Sequence, residues 1–228
     1  MTYTELIAKI RNYTEVDSTV LSDSICDGFI RDAELRIARA VDADYLRKFA
    51  TSNFVAGSKY VLLPNDIMIV RSVQHIASGT RTFLENRETS FLNEFNPTEA
   101  TGTPKYWGNW YRTNDNFYLI VAPAPAAADT VEVSYIRTPP HLFSSNDAAS
   151  VPEKSTSTFI STYADEVLLY ACLVEAFSFL KGPMDMYNLY EKKYNESIQN
   201  FAIEQTGRRR RGEYTDGVPR IKVDSPSP

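Results

Sequence analysis

The chain has 228 residues, enough for one sizeable domain or two small ones with a full hydrophobic core. Apolar residues make up 43% and charged residues 23%, as in ordinary globular proteins, and no long uninterrupted apolar run indicates a membrane span. The net charge of −5 is uneven: residues 207–228 carry six basic and three acidic side chains, which leaves −8 for residues 1–206 and argues against a general nucleic-acid-binding surface.

Two helices are predicted near the N-terminus. The first covers residues 4–13 and is capped by Thr4. The second covers residues 22–45 and is capped by Ser22. No basic segment followed by an apolar stretch precedes them, so no secretory signal is expected and synthesis in the cytoplasm follows. The apolar positions of the second helix recur every three or four residues: Leu21, Ile25, Phe29, Ala33, Ile37 and Val41.

From about Arg47 apolar and polar residues alternate, which predicts a run of β-strands. A short helix is predicted over 85–95, with Phe91, Leu92 and Phe95 facing inward. The strands are predicted over residues 49–55, 58–62, 67–76, 80–84, 106–112, 116–121 and 130–137.

Two further helices are predicted over 158–181 and 183–205, after a polar and irregular stretch over 141–157. The Gly182-Pro183 break between them predicts an antiparallel helical hairpin. Because the strands are segregated from the helices, the predicted class is α+β with a mostly antiparallel sheet. The helices from both ends are expected to form one bundle of about four, with the strands as an inserted β-rich lobe.

The residues after the last helix differ from the rest of the chain. Gly207 and four consecutive arginines lead into a stretch without apolar periodicity, which is expected to be extended or disordered in isolation. Such a basic segment suits an arm that orders against an acidic partner. The predicted organisation is bundle helices over 1–46, the lobe over 47–140, a linker and helical hairpin over 141–206, and an extended arm over 207–228. The arm residues expected to bind the partner are Arg208, Arg209, Arg210, Arg211, Tyr214, Val218, Arg220 and Ile221.

No catalytic, cofactor-binding or metal-binding residue is predicted. His75 and His141 stand far apart, and neither has a histidine or cysteine at ligand spacing. Cys26 and Cys172 fall in helix-like segments and are expected to be buried free thiols. No phosphate-binding loop or nucleophile elbow occurs, and carboxylate pairs such as Asp165-Glu166 are typical of a solvated helix face.

Aromatic residues crowd the hairpin predicted from 106–112 and 116–121. Two interpretations stay open: packing in the core of the lobe, or contact with neighbouring subunits, where Tyr and Trp are favoured because each combines apolar area with a polar tip. The second interpretation concerns Tyr106, Trp107, Trp110 and Tyr111.

Four parts of the sequence carry a family pattern. They are the turn LLPND at 62–66 leading into IMIVRSV at 67–73, the strand end YIRTP at 135–139, the helix YACLVEA at 170–176, and the break at 182–183 before YNLYEKKY at 187–194. Together they resemble the head-to-tail adaptor proteins of tailed bacteriophages, also called connector or head-completion proteins.

The resemblance implies a helical bundle with an inserted β-rich lobe, assembled as a ring of about twelve copies beneath the portal protein. It implies that the arm docks on the portal protein and that the lobe, with its aromatic hairpin, faces a neighbouring subunit or a tail or nozzle protein. The protein is then expected in the virion neck. DNA would pass through an acidic lumen without specific binding, and no membrane would be involved.

Other functions stay open at this stage. A stopper or tail terminator would bind the tail tube rather than the portal protein. A nucleic-acid-binding accessory protein would use the run Arg208 to Arg211 and would bind duplexes with an affinity that falls steeply with salt. A hydrolase would show convergent carboxylates in a pocket.

Overall fold

The computed structural model describes residues 1–41, 44–113, 116–146 and 152–214, with side chains throughout except at 110–113, 116, 206 and 208–214. The predicted α+β class is confirmed. The chain divides into two compact units. The helical unit comprises Met1–Tyr45, His141–Asp147 and the chain from Lys154 onward. The β unit comprises Leu46–Pro140 and Ala148–Glu153.

The predicted helices and strands occur in the predicted order, with two differences. The helix predicted over 158–181 is two helices, because Ala164 leaves the helical conformation, and the helix predicted over 85–95 begins only at Thr89, after a short strand. The helices are α1 (Tyr3–Thr14), α2 (Asp23–Ala40), α3 (Thr89–Phe95), α4 (Phe159–Tyr163), α5 (Asp165–Phe179) and α6 (Met184–Tyr214), with a 3₁₀ turn at Asp44–Leu46. The strands are β1 (Arg47–Asn53), β2 (Tyr60–Leu63), β3 (Ile67–Ala77), β4 (Thr80–Phe83), β5 (Glu85–Asn86), β6 (Thr101–Gly102), β7 (Tyr106–Thr113), β8 (Asn116–Ala122), β9 (Ala124–Pro125), β10 (Thr130–Arg137), β11 (His141–Leu142) and β12 (Lys154–Ser155).

A capping box sets the start of α1. The Thr2 hydroxyl accepts the backbone N–H of Glu5 at 3.3 Å, and the Glu5 carboxylate accepts the backbone N–H of Thr2 at 2.8 Å. The prediction that Thr4 caps this helix is wrong, because the reciprocal pair three residues apart makes Tyr3 the first helical residue.

α2 starts at its predicted cap but ends earlier than predicted. The Ser22 hydroxyl accepts the backbone N–H of Ile25 at 3.4 Å. The helix ends at Ala40, since Val41 already has extended backbone angles. Val41 and Tyr45 still pack on the helical core, so the apolar periodicity that suggested a longer helix reflects burial beyond the helix end.

α5 is apolar on nearly every side and forms the centre of the helical unit. α1, α2 and α6 all pack against it. Arg36 of α2 links three of these helices, because its guanidinium pairs with Glu175 of α5 at 3.3 Å and lies 4.6 Å from the ring centroid of Tyr194 in α6. The buried residues of α5 are Val167, Leu168, Leu169, Ala171, Cys172, Leu173, Val174, Ala176 and Phe177.

The break between α5 and α6 is as predicted, but the end of α6 is not. Lys181 adopts a left-handed φ of 51°, and the N–H of Gly182 donates to the carbonyl of Phe177 at 3.1 Å, which closes α5. α6 then continues to Tyr214, so the prediction that the helix ends at 205 and the arm begins at 207 is wrong. One glycine costs a helix only about 1 kcal/mol, and arginine is a strong helix former.

Two four-stranded sheets build the β unit. The first has the order β1-β10-β3-β4 with antiparallel neighbours throughout, and the second has the order β2-β8-β7-β5, in which β5 pairs parallel with β7. β10 has the predicted bounds of 130–137. The connection between β1 and β2 contains Gly57, whose positive φ of 79° is favourable for glycine. The two strands belong to different sheets.

The inner faces of the two sheets share one core. Leu92 of α3 packs on Ile120 and Ala122, and so covers the outer face of the second sheet. Phe91 and Phe95 are exposed, so the prediction that both face inward is wrong; a helix this short buries a single residue, Leu92. The shared core consists of Phe54, Val61, Leu63, Ile67, Val73, Leu84, Trp107, Leu119, Val121, Val131, Val133 and Tyr135.

Gly108 of β7 lets α3 and the segment before it lie close to the sheet. A Cβ at this position would lie 2.7 Å from the backbone carbonyl oxygen of Arg87 and 2.9 Å from a methyl group of Leu92. Gly108→Ala should therefore lower the free energy of unfolding by about 1–3 kcal/mol, because the backbone of Arg87 has to move. Urea denaturation followed by circular dichroism measures this, with Gly28→Ala as the control because no atom lies near that position. A neutral Gly108→Ala variant would contradict the close approach.

Candidate interaction surfaces

Large apolar side chains lie on the outer face of the first sheet. Phe49 is 60% exposed and Phe83 is 68% exposed. In the adjoining strands Val73 and Val133, which are cross-strand partners, point into the core. Phe49 pairs with Ser134 and Phe83 pairs with Gln74. Ser134 and Gln74 directly follow Val133 and Val73, and successive side chains of a strand point to opposite faces, so Phe49 and Phe83 lie on the face opposite the core.

A register shift adds a third residue to this face. β10 and β3 change register between Ser134 and Tyr135, and beyond the shift Ile136 pairs with Ile69. Ile136 also pairs with Arg47 of β1, two residues from Phe49, so Ile69 lies on the same face. Ile69 is 53% exposed. We call Phe49, Ile69 and Phe83 the outer-face residues; exposed apolar groups of this kind commonly mark contact surfaces.

Two shallow apolar grooves open along the margins of the sandwich. β1 and β2 are end strands in the strand order of the described residues, and a groove of about 240 Å³ lies between them. A second groove of about 300 Å³ lies beside β3 and β8. The first is lined mainly by Ala50, Val61, Leu62, Val131 and Val133, and the second by Leu63, Ile67, Met68, Val70 and Phe117.

The aromatic hairpin does not act as one surface. Trp107 is 4% exposed and belongs to the core shared by the two sheets, so the hypothesis that it meets a neighbouring subunit is wrong for this residue. Tyr106 is half-buried, and its ring makes edge contacts with Phe91 and Phe95. The side chains of Trp110 and Tyr111 lie outside the described residues.

The structure places the predicted arm residues in two groups. Arg208, Arg209, Arg210, Arg211 and Tyr214 lie on the backbone of α6. Their side chains lie outside the described part of the chain, as do Val218, Arg220 and Ile221 altogether.

The acidic charge of residues 1–206 is concentrated in the helical unit. Up to residue 206, the helical unit carries nine basic and seventeen acidic side chains, whereas the β unit carries nine of each. The β unit is therefore close to neutral. Its exposed face combines apolar residues with little net charge, while the helical unit repels anions such as DNA phosphates.

A buried charged cluster in the helical unit has no counterpart among the predicted sites. Glu34 of α2 is fully buried; one carboxylate oxygen accepts the backbone N–H of Leu142 at 2.8 Å, and the other lies 3.0 Å from Nδ1 of His141. Nε2 of His141 lies 2.9 Å from the carboxylate of Asp27. Burial raises the pKa of Glu34 against the opposing effect of these hydrogen bonds. Sequence reasoning could have found Glu34, because it lies four residues after Ile30 and three before Ile37, and both of these apolar residues are buried on the same face of α2.

The cysteines are in the positions expected for structural thiols. Cys26 and Cys172 are free and buried in the helical core. Burial raises the pKa of the Cys172 thiol well above its usual range, which makes it unreactive. Among the residues that the structure describes, no group of histidine, cysteine and carboxylate side chains is arranged to hold a metal ion.

Comparison with known families now decides the identity. The family described as SU10 adaptor protein matches residues 1–220. The chain belongs to the SU10 adaptor protein family. The resemblance to phage head-to-tail adaptors is thereby confirmed. No curated protein matches the chain.

Family membership supports a bacteriophage structural protein that interacts with other head and tail proteins. The match extends over both units of this SU10-family adaptor and across the run of arginines in α6. In the described ranges no helix has both the length and the apolar character needed to cross a membrane.

Trp107 and Phe49 of this adaptor differ in burial, since Trp107 is a core residue and Phe49 a surface residue. Trp107→Ala should lower the free energy of unfolding by about 3–5 kcal/mol, because it leaves a cavity in the core of the β unit. Phe49→Ser should change it by less than about 0.5 kcal/mol, because Phe49 lies on the surface. Chemical denaturation of both variants tests this, and similar losses for the two would contradict the assignment of faces.

Proposed function

We propose that this adaptor forms a ring that joins the portal protein to the tail in the virion neck and continues the DNA channel. The observation that carries the proposal is the family match over residues 1–220, which spans both units and most of the C-terminal segment. Rings of identical subunits need two complementary surfaces on each copy. The exposed outer-face residues and the grooves at the sandwich margins are available for such contacts.

The charge distribution supports a role in lining a DNA channel. An excess of eight acidic side chains in the helical unit up to residue 206 repels phosphates, so DNA would slide past it without adhering. The opposite function, specific duplex binding, would need clustered basic residues on the same surface. The four clustered arginines instead lie near the end of α6, three to six residues before its last residue.

The C-terminal part of α6 is the proposed portal contact. Its backbone is helical from Arg208 to Tyr214, so this part of the segment would reach the portal protein as a helix and not as an extended arm. A run of four positive charges suits a broad acidic surface more than a narrow groove. Val218, Arg220 and Ile221 would extend the contact beyond the helix.

On the β unit, Tyr106, Trp110 and Tyr111 are proposed to face a neighbouring subunit or a tail or nozzle protein, together with the outer-face residues. Aromatic side chains at such a contact supply apolar area and a polar tip. Trp107 is omitted from this surface because it lies in the core.

Deletion of residues 207–228 should leave a folded adaptor that no longer binds purified portal protein. Replacing Arg208 to Arg211 by alanine should weaken the same binding at least about tenfold, because each guanidinium paired with a carboxylate stabilises a contact by about 1 kcal/mol or more. The matched control is Lys192→Ala together with Lys193→Ala, which removes positive charge from the same helix nearer its start. Pull-down on immobilised portal protein and circular dichroism provide the two measurements.

Retained portal binding by the deletion variant would contradict the docking role. Binding of the intact protein to tail tube but not to portal protein would instead indicate a stopper or a tail terminator. Salt-sensitive duplex binding that disappears with the arginines would indicate a nucleic-acid-binding protein.

Ring formation predicts a defined change of mass on the portal. Native mass spectrometry or light scattering of the adaptor mixed with portal protein should show about twelve adaptor copies per portal ring, in keeping with closed cyclic symmetry. A single adaptor copy per portal ring, at saturating adaptor concentration, would contradict the ring.

A further inference from the structure

The hydrogen-bonding pattern of His141 fixes how many protons the buried cluster must hold. Nδ1 lies 3.0 Å from Glu34 and Nε2 lies 2.9 Å from Asp27. Both distances require a hydrogen between nitrogen and oxygen. A neutral imidazole carries only one N–H, so two carboxylates and a neutral His141 cannot satisfy both contacts.

The other contacts of Glu34 among the described residues do not place a hydrogen between Glu34 and His141. Its remaining carboxylate oxygen already accepts the backbone N–H of Leu142 at 2.8 Å, and the guanidinium of Arg31 is 3.5 Å from the oxygen that faces His141. The cluster therefore needs one further proton, carried either by the imidazole as imidazolium or by one of the two carboxyl groups. Loss of that proton would bring two lone pairs together at about 3 Å in a buried site.

We propose that Asp27, His141 and Glu34 form a proton-dependent latch that holds the segment His141–Leu142 on α2 and releases it as the pH rises. The segment is where the chain enters the helical unit from the β unit. Leu142 is fully buried in the helical core, β11 pairs with β12, and the N–H of Phe143 donates to the carbonyl of Ser155 at 2.9 Å. Release of the latch would free this connection while leaving the contacts of α1, α2, α5 and α6 with one another in place.

The direction of the pH dependence follows from the surroundings of His141. Burial by itself lowers the pKa of His141, but hydrogen bonds and negative charge from Glu34 and Asp27 outweigh it and raise the pKa above its usual value. The pKa of Glu34 is also raised, chiefly by burial. Charged and titratable groups packed around the cluster are Asp27, Arg31 and Glu34 on α2, Lys154 on β12, Tyr3 on α1 and Cys172 on α5.

A raised pKa means that folding favours the protonated form. The contribution of His141 to stability is thus complete below the ordinary histidine pKa of about 6.5 and is lost as the pH rises through the higher value in the folded protein. The raised pKa of Glu34 acts in the same direction. The latch is therefore closed at low pH and opens as the pH rises.

Amide hydrogen exchange at Leu142 in the intact protein tests the latch. Its protection factor should fall at least about tenfold between pH 6 and pH 9, because loss of the proton removes a hydrogen bond that holds the segment. Glu34→Gln should abolish the fall, because the amide of glutamine donates to Nδ1 of a neutral His141 while its oxygen still accepts the N–H of Leu142. Asp27→Asn should abolish it too, at a less buried position.

The control is His75→Gln in the β unit. Among the residues that the structure describes, His75 is hydrogen-bonded to one carboxylate, that of Asp129 at 2.8 Å, and a single N–H satisfies this contact. This variant should keep the wild-type fall at Leu142. A change of less than about threefold in wild-type protection at Leu142 over this pH range would overturn the latch. The same holds if a folded Glu34→Gln or Asp27→Asn variant shows the wild-type fall.

Discussion

The burial of α5 is the constraint on which the rest of the structure depends. A helix that is apolar all round is stable in water only when neighbours cover every side. α6 alone covers one side, and the remaining cover comes from α1 and α2, more than a hundred residues earlier in the chain. The N-terminal helices α1 and α2 must therefore pack with the C-terminal helices α5 and α6. The strands between them form an insertion with a core of its own.

This division assigns different physical properties to the two units of the SU10-family adaptor. The helical unit carries the acidic excess and the buried ionic cluster, while the nearly neutral β unit carries exposed apolar residues on an open sheet face. Under the proposed function, the helical unit repels DNA and carries the portal contact at the end of α6, while the β unit contacts a neighbouring subunit or a tail protein. A polar cluster inside an apolar bundle contributes little net stability, but it fixes where the connecting segment docks.

Local patterns were sufficient for most elements of the fold. Strict alternation gave the bounds of β10, and the serine at position 22 gave the start of α2. The predictions fail where contacts between residues far apart in the sequence determine the position of a side chain. Trp107 turned inward because the second sheet packs on the first, and His141 lies in a stretch that looked irregular because its partner Glu34 is 107 residues away. The prediction ends α6 too early, because a single glycine only weakens a helix when strong helix formers follow it.

Hydrogen exchange of the backbone amides of α5 tests the central constraint most directly. If α5 is held by both ends of the chain, its amides exchange only when the whole helical unit unfolds. Ile37→Ala, a change in the fully buried face of α2, should then raise the α5 exchange rates by the factor that corresponds to its own loss of stability, about 2–5 kcal/mol. Unchanged protection of α5 in a measurably destabilised Ile37→Ala protein would contradict the account.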